Sequence, residues 1–140
     1  MVDILSGVKS TAAALDAERT RLDVISENIA NANTTHGVDG KPYQRQVVVF
    51  ETALRHAVDG AAQTPALRVA RIEKDHRPMQ TVYEPGNPDA DKSGMVTLPN
   101  VNIHEEMADL IAASRAFEAN LAVVRNSRNM ALQTLSIGKR

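Results

Sequence analysis

The sequence predicts an α+β fold, with long N- and C-terminal helices paired as an antiparallel coiled coil and a small β-rich module inserted between them. Three observations predict it: an apolar heptad stripe in the last third, a weaker one at the start, and a turn-punctuated, β-branched middle. The expected divisions are 1–36 for the first helix, 37–100 for the β-rich module and 101–140 for the second helix.

The last third carries the strongest pattern. From Ile103, alternating steps of four and three reach Met107, Leu110, Ser114, Phe117, Leu121, Val124, Arg128, Ala131 and Leu135, all apolar except Ser114 and Arg128. A 3.5-residue repeat keeps one narrow stripe turned toward a partner helix. Asn102 is placed to cap the helix, with Glu105 three residues on in capping-box position. Glu105, Glu106 and Asp109 put negative charge at its positive end, and Gly138 can stop it ahead of Lys139 and Arg140. A stripe this narrow cannot be buried by the helix that owns it.

The partner lies at the other end of the chain. Ile4, Val8, Thr11, Leu15, Glu18, Leu22, Ile25, Ile29 and Ala32 repeat the alternation, with Thr11 and Glu18 as polar interruptions. The first helix is expected to begin around Asp3 to Ser6 and to end within Asn31–Gly37, where Asn, Thr and Gly supply turn conformations. Asn33 reads as part of that ending. Asn28 and Asn31 read equally as capping residues or as a polar recognition face. Two core helices of an ordinary bundle would show similar stripes, but the supply of other core residues argues against that. Only Tyr43, Phe50, Tyr83 and Phe117 are aromatic, and large aromatics carry much of core burial.

Between the helices, Val47–Phe50 within Gln44–Glu51, then Ala66–Lys74, Thr81–Tyr83 and Met95–Leu98 read as short strands. Pro42, Asp59, Gly60, Pro65, Pro78, Pro85–Pro88, Ser93, Gly94 and Pro99 separate them as turn signals.

Charge is balanced, 16 basic residues against 17 acidic, and no segment is basic enough to imply nucleic acid or an anionic membrane. There is no cysteine, hence neither disulfide nor thiol chemistry. No secretory signal and no membrane-spanning stretch is expected. His36, His56, His76 and His104 lack ligand spacing, and no phosphate loop or nucleophile motif is present. Neither enzymatic activity nor a cofactor is expected. Asp89–Gly94 fits the opening of a calcium loop, with Asp89, Asp91 and Ser93 as ligands. However, Asn100 occupies the twelfth position where a glutamate belongs, and Pro85–Pro88 bars an entering helix, which favours a structural turn.

Three stretches carry a resemblance. ALDAERTRLDVISENIANANTT (Ala14–Thr35), including Asn28, Asn31 and Asn33, is similar to the N-terminal signature of bacterial flagellar rod and hook proteins. VYEPGNPDAD (Val82–Asp91) with GMVTLPNVN (Gly94–Asn102) resembles the central segment of proximal-rod members, through Tyr83, Pro85, Pro88, Asp89, Pro99 and Asn100. EMADLIAASRAFEAN (Glu106–Asn120), with Glu106, Arg115 and Asn120, resembles the C-terminal signature of these axial proteins. The chain departs from the pattern at Asn87, Met95 and Phe117, where the family usually has His, Tyr and Tyr.

The resemblance implies a structural subunit of the basal-body rod, assembled with other rod proteins and further copies of itself. It implies contacts with the export-gate and membrane-ring junction below and no partner nucleic acid. The rod would span the periplasm and receive its subunits through the flagellar type III apparatus. Seam residues for assembly would be Val8, Leu15, Leu22, Ile25, Ile29, Met107, Leu110, Phe117, Leu121, Val124 and Leu135. Phe50, four residues before Leu54, resembles the hydrophobic signal by which early substrates engage the export gate, but Val47–Phe50 also reads as a buried strand, and apolar pairs at this spacing are common in any sequence. A coiled-coil adaptor and a calcium-binding module are the alternatives. The adaptor leaves the central module unexplained.

Overall fold

The computed structural model describes residues 4–54 and 65–137. Helix α1 spans Ile4–Ala30, and strands β1 (Gln46–Leu54), β2 (Pro65–Lys74), β3 (Gln80–Tyr83) and β4 (Met95–Leu98) follow. Helix α2, Ile103–Ile137, closes the α+β order. Asp3, Gly138 and the Asp59–Gly60 turn signal lie outside the described residues.

Both helix boundaries have local causes. Asn102 Oδ1 accepts a hydrogen bond from the His104 backbone N–H at 3.0 Å, so the expected cap of α2 is formed. Glu105 does not close a capping box on the backbone; its carboxylate accepts from Arg77 Nη1 at 2.9 Å instead. Past α1, Asn31 Nδ2 reaches the Glu27 carbonyl at 3.0 Å and its Oδ1 accepts from the Thr34 hydroxyl, turning the chain out of the helix.

The middle of the chain is two separate two-stranded antiparallel sheets rather than one. In β1–β2, Gln46 pairs with Lys74 and Leu54 with Pro65. The register slips between Val49 and Phe50, leaving Ala70 of β2 as the extra bulge residue. In β3–β4, Gln80 pairs with Leu98 and Tyr83 with Met95. The loop joining them needs glycine at Gly94, where φ is 79° and an added Cβ would stand 2.8 Å from the Tyr83 ring. Tyr83 and Pro85 of the signature thus form the wall that fixes this turn.

α1 packs against α2 and against both strands of the β1–β2 hairpin. That shared use shifts its packed face. The heptad period holds, but the most buried positions sit one residue before several stripe positions. Ala17, Val24, Ile25 and Asn28 are buried on α1, Ala32 is buried in the turn after it, and Glu106 and Ala113 are buried on α2. Val8, Leu15, Leu22, Ile29, Leu110, Phe117, Leu121 and Val124 are half-buried. Met107 is 52% exposed and Leu135 67% exposed. One residue is about 100° of helix, so turning Glu106 inward turns Met107 out. The apolar core is correspondingly thin, and two of its three largest fully buried side chains, Glu106 and Asn28, are polar.

Candidate functional site

Three signature residues, Asn28 near the end of α1 and Asn100 and Glu106 around the start of α2, meet where the helices join the hairpin. Asn28 is 1% exposed, Glu106 0% and Asn100 9%. Burying such groups costs free energy unless each finds hydrogen-bond partners. Here each does. Asn28 Nδ2 donates to Glu106 Oε2 at 3.0 Å and to the Gln46 carbonyl at 2.9 Å. Its Oδ1 accepts from the Tyr43 hydroxyl and from the Gln46 backbone N–H, both at 2.9 Å. Asn100 Oδ1 accepts from the Arg45 N–H at 2.8 Å, while its Nδ2 donates to the carbonyls of Asp75 and Arg77.

Arg45 is the hub. Its Nε donates to Glu106 Oε1 at 2.6 Å, its Nη1 lies 3.2 Å from Asp75 Oδ2, and its Nη2 lies 3.7 Å from Asp109 Oδ2. Arg45 stands just before β1 and Asp75 just after β2, so hairpin pairing brings them together, and Asp75 N–H donates to the Arg45 carbonyl at 2.7 Å. Arg77 extends the network from Asp75 to Glu105, and Arg21 of α1 stands 3.8 Å from Asp109. Burial pushes the Asp75 carboxyl up, but hydrogen bonds from Arg77 and Arg45 and the Arg77 charge outweigh it and hold it below the usual range. The Arg77 guanidinium is pushed up by its bonds to Glu105 and Asp75. Burial, with the Glu27 charge, raises the Tyr43 phenol.

This cluster anchors both helices to the root of the hairpin. Nothing in it is a nucleophile poised beside a base. Among the described residues no group of three or more His, Cys, Asp and Glu could hold a metal ion, and no helix is long and apolar enough to cross a membrane.

The other singled-out residues are spread out. Pro99 is buried beside Asn100, Asn33, Pro88 and Arg115 are exposed, and Asn120 is half-buried on α2. Asp89 accepts from the Thr35 hydroxyl at 2.5 Å and lies 3.9 Å from His36, tying the β3–β4 loop to the segment after α1. Asp91 Oδ1 accepts from Ser93 Oγ, Ser93 N–H and Met95 N–H, and these bonds, the Ser93 hydroxyl's first, hold its carboxyl below the usual range. Asp89 and Asp91 therefore do separate structural work in the loop. Phe50 is half-buried in β1, and Leu54 ends that strand with its side chain outside the described residues.

Tyr43, Arg45, Asp75 and Arg77 were not singled out by sequence reasoning. A usable signal existed, because Arg45 and Asp75 carry opposite charges at the two ends of a strand pair, where antiparallel register sets residues opposite one another.

Comparison with known proteins fits this geometry. Residues 10–37 match the family model "Flagella basal body rod protein" and residues 92–137 match "Flagellar basal body rod FlgEFG protein C-terminal". Three relatives, each called flagellar basal-body rod protein FlgC, align over nearly the whole chain. That of Borreliella burgdorferi is 41% identical, covering 96% of this chain and 97% of its own. That of Agrobacterium fabrum is 40% identical over 99% and 98%, and that of Bacillus subtilis is 36% identical over 92% and 94%.

Proposed function

This chain belongs to the FlgC family of flagellar basal-body rod proteins, and from that premise we propose how its parts serve a rod. It is a structural subunit of the basal-body rod, assembling with other rod components, in a family of structural proteins rather than enzymes.

The terminal helices, within divisions 1–36 and 101–140, form an antiparallel coiled coil whose seam continues into neighbouring subunits. The order of the pairs Asn28–Glu106 and Arg21–Asp109 fits that direction, since the later residue on α1 meets the earlier one on α2. The division 37–100 lies outside that helical core and touches neighbours along the shaft. Further copies of the chain and other rod proteins are its neighbours, with export-gate and membrane-ring junction proteins below. The observation that carries this reading is the junction at Arg45. It locks the hairpin's root to the helices, so load on the outer part reaches the core through buried, charge-assisted bonds rather than a loose loop.

Export would proceed on the unfolded chain through the flagellar type III apparatus, with Phe50 and Leu54 as the recognised pair. The changes Phe50→Ala and Leu54→Ala together should lower secretion while purified protein still joins rods. Normal amounts of the double variant in the secreted fraction of a rodless strain rule the signal out. A deletion strain that swims normally would overturn the rod role itself.

A further inference from the structure

One exposed face of α1 is acidic, and the far half of α2 is basic. On α1, Asp16, Asp23 and Glu27 are exposed and share a face with Thr20 and Ala30, spaced by fours and threes. None of these carboxylates has an ion pair among the described residues; Glu27 only accepts from Gln46 Nε2 at 3.4 Å. On α2, Arg125 and Arg128 are exposed and equally unpaired, and residues 119–137 include no acid. The two arginines belong to a line through Leu121, Arg125, Arg128, Leu132 and Leu135, which has the same alternation of fours and threes. At about 100° per residue, that line stands roughly 70° round from Glu106 and Ala113, beside the face that packs on α1. Helix α2 also outruns its partner. The Asn28–Glu106 and Arg21–Asp109 contacts put Ile4, where α1 starts, roughly level with Arg128. Past that level no helix stands beside α2 among the described residues.

We propose that the acidic face of α1 from a second copy lies antiparallel along this line, displaced by about 20 residues, ~30 Å, from the pairing within the chain. The inference rests on the rod reading, since copies pointing the same way along a shaft bring α1 of one against α2 of the next in opposite directions. Charge selects the occupant, and spacing sets the displacement. Glu27 falls at Arg125 and Asp23 at Arg128, so both unpaired arginines find a carboxylate in one register. In that register Ala30 falls at Leu121 and Thr20 at Leu132, and small residues receive large ones. Arg19, which borders the acidic face, falls level with Leu132 and Gln133, a turn beyond Arg128. Glu118 lies past the end of α1. Of the acids only Asp16 meets an apolar side chain, Leu135, at the open margin where its carboxylate stays in water. A slide of one heptad toward the end of α2 sets Glu27 at Leu132 and Asp23 at Leu135, and both pairs are lost. A slide the other way keeps one pair, Asp16 at Arg128, but sets Glu27 against Glu118. Each exposed pair is worth little alone. The contact is head-to-tail and does not close, however, so it repeats along the shaft.

The chain has no cysteine, so an engineered disulfide reports the contact directly. Asp23→Cys with Arg128→Cys, oxidised in isolated basal bodies, should move the monomer into a ladder of dimers and higher species, while either change alone should give none. Within one chain the two positions stand ~28 Å apart along the helices, too far to bridge. Monomer alone from basal bodies that contain the variant, or a crosslink to a different protein, overturns the contact and leaves the rod role standing. Absence of the unaltered chain from basal bodies overturns the rod role instead. Charge reversal tests the same pair without a disulfide. Asp23→Arg and Arg128→Asp should each abolish swimming while the purified chain melts unchanged, and together they should restore swimming. Single variants that swim normally, or a double variant no better than an impaired single, overturn the pairing.

Discussion

The two ends of α2 are built on opposite terms. At its start, Glu106 is fully buried, and both its oxygens and every polar atom named around Asn28 and Asn100 are satisfied within the chain. Toward its end, Met130, Leu132, Leu135 and Ile137 are each more than half exposed. Length accounts for part of this, since the 35-residue α2 is about 52 Å long and the 27-residue α1 about 40 Å. Around Arg45 the chain satisfies its buried polar groups by itself, whereas the far end of α2 leaves large apolar side chains uncovered.

The sharpest way to break that contrast is Arg45→Ala. It strands the Glu106 carboxylate without its ion-pair partner and should cost about 3–5 kcal/mol. Leu132→Ala, at the exposed end, should stay within about 0.5 kcal/mol. Urea unfolding followed by circular dichroism measures both, and equal losses would remove the distinction between the two ends.

Leu121 lies between the extremes. Half-buried in the single chain, it should lose about 1–2 kcal/mol on Leu121→Ala, below the ~2–5 kcal/mol of a fully buried leucine. Leu121→Asp should leave export intact and abolish swimming, because assembly would bury the new charge unpaired. A fully motile Leu121→Asp strain would show that the seam stays wet in the rod.

The smallest effect is a pH dependence. The Asp75 carboxyl is held below its ordinary range, so its contribution to stability is full above the unfolded value near ~3.9 and disappears as pH falls through the lower folded value. Stability curves of the unaltered chain and of Asp75→Asn should therefore converge below about pH 4. Parallel curves down to pH 2 would show that the bonds from Arg77 and Arg45 do not favour the ionised form.

The helices and all four strands were legible in the sequence, because apolar period, β-branching and breakers act within a dozen residues. The facing of the helices was only partly legible. The apolar stripe runs through Met107 and Ile29, whereas Glu106 and Asn28 turn further inward. Apolar periodicity cannot register a hydrogen bond between side chains 78 positions apart. The site was half visible for the same reason. Asn28, Asn100 and Glu106 stood out by resemblance, while Arg45 and Asp75, 30 positions apart, acquire meaning only once β1 and β2 pair.

The hairpin's shape gives Arg45 a mechanical consequence. Nine residues of ribbon reach about 30 Å, so a sideways push on the tip works against the root as through a lever. A single pair at that root would fail all at once. Arg45 instead grips three carboxylates on two segments, Asp75 after β2 and Glu106 and Asp109, three residues apart, on α2. Letting go of one leaves the other two engaged. The root yields by degrees and can re-form in place, as suits a part loaded afresh with every turn of a shaft.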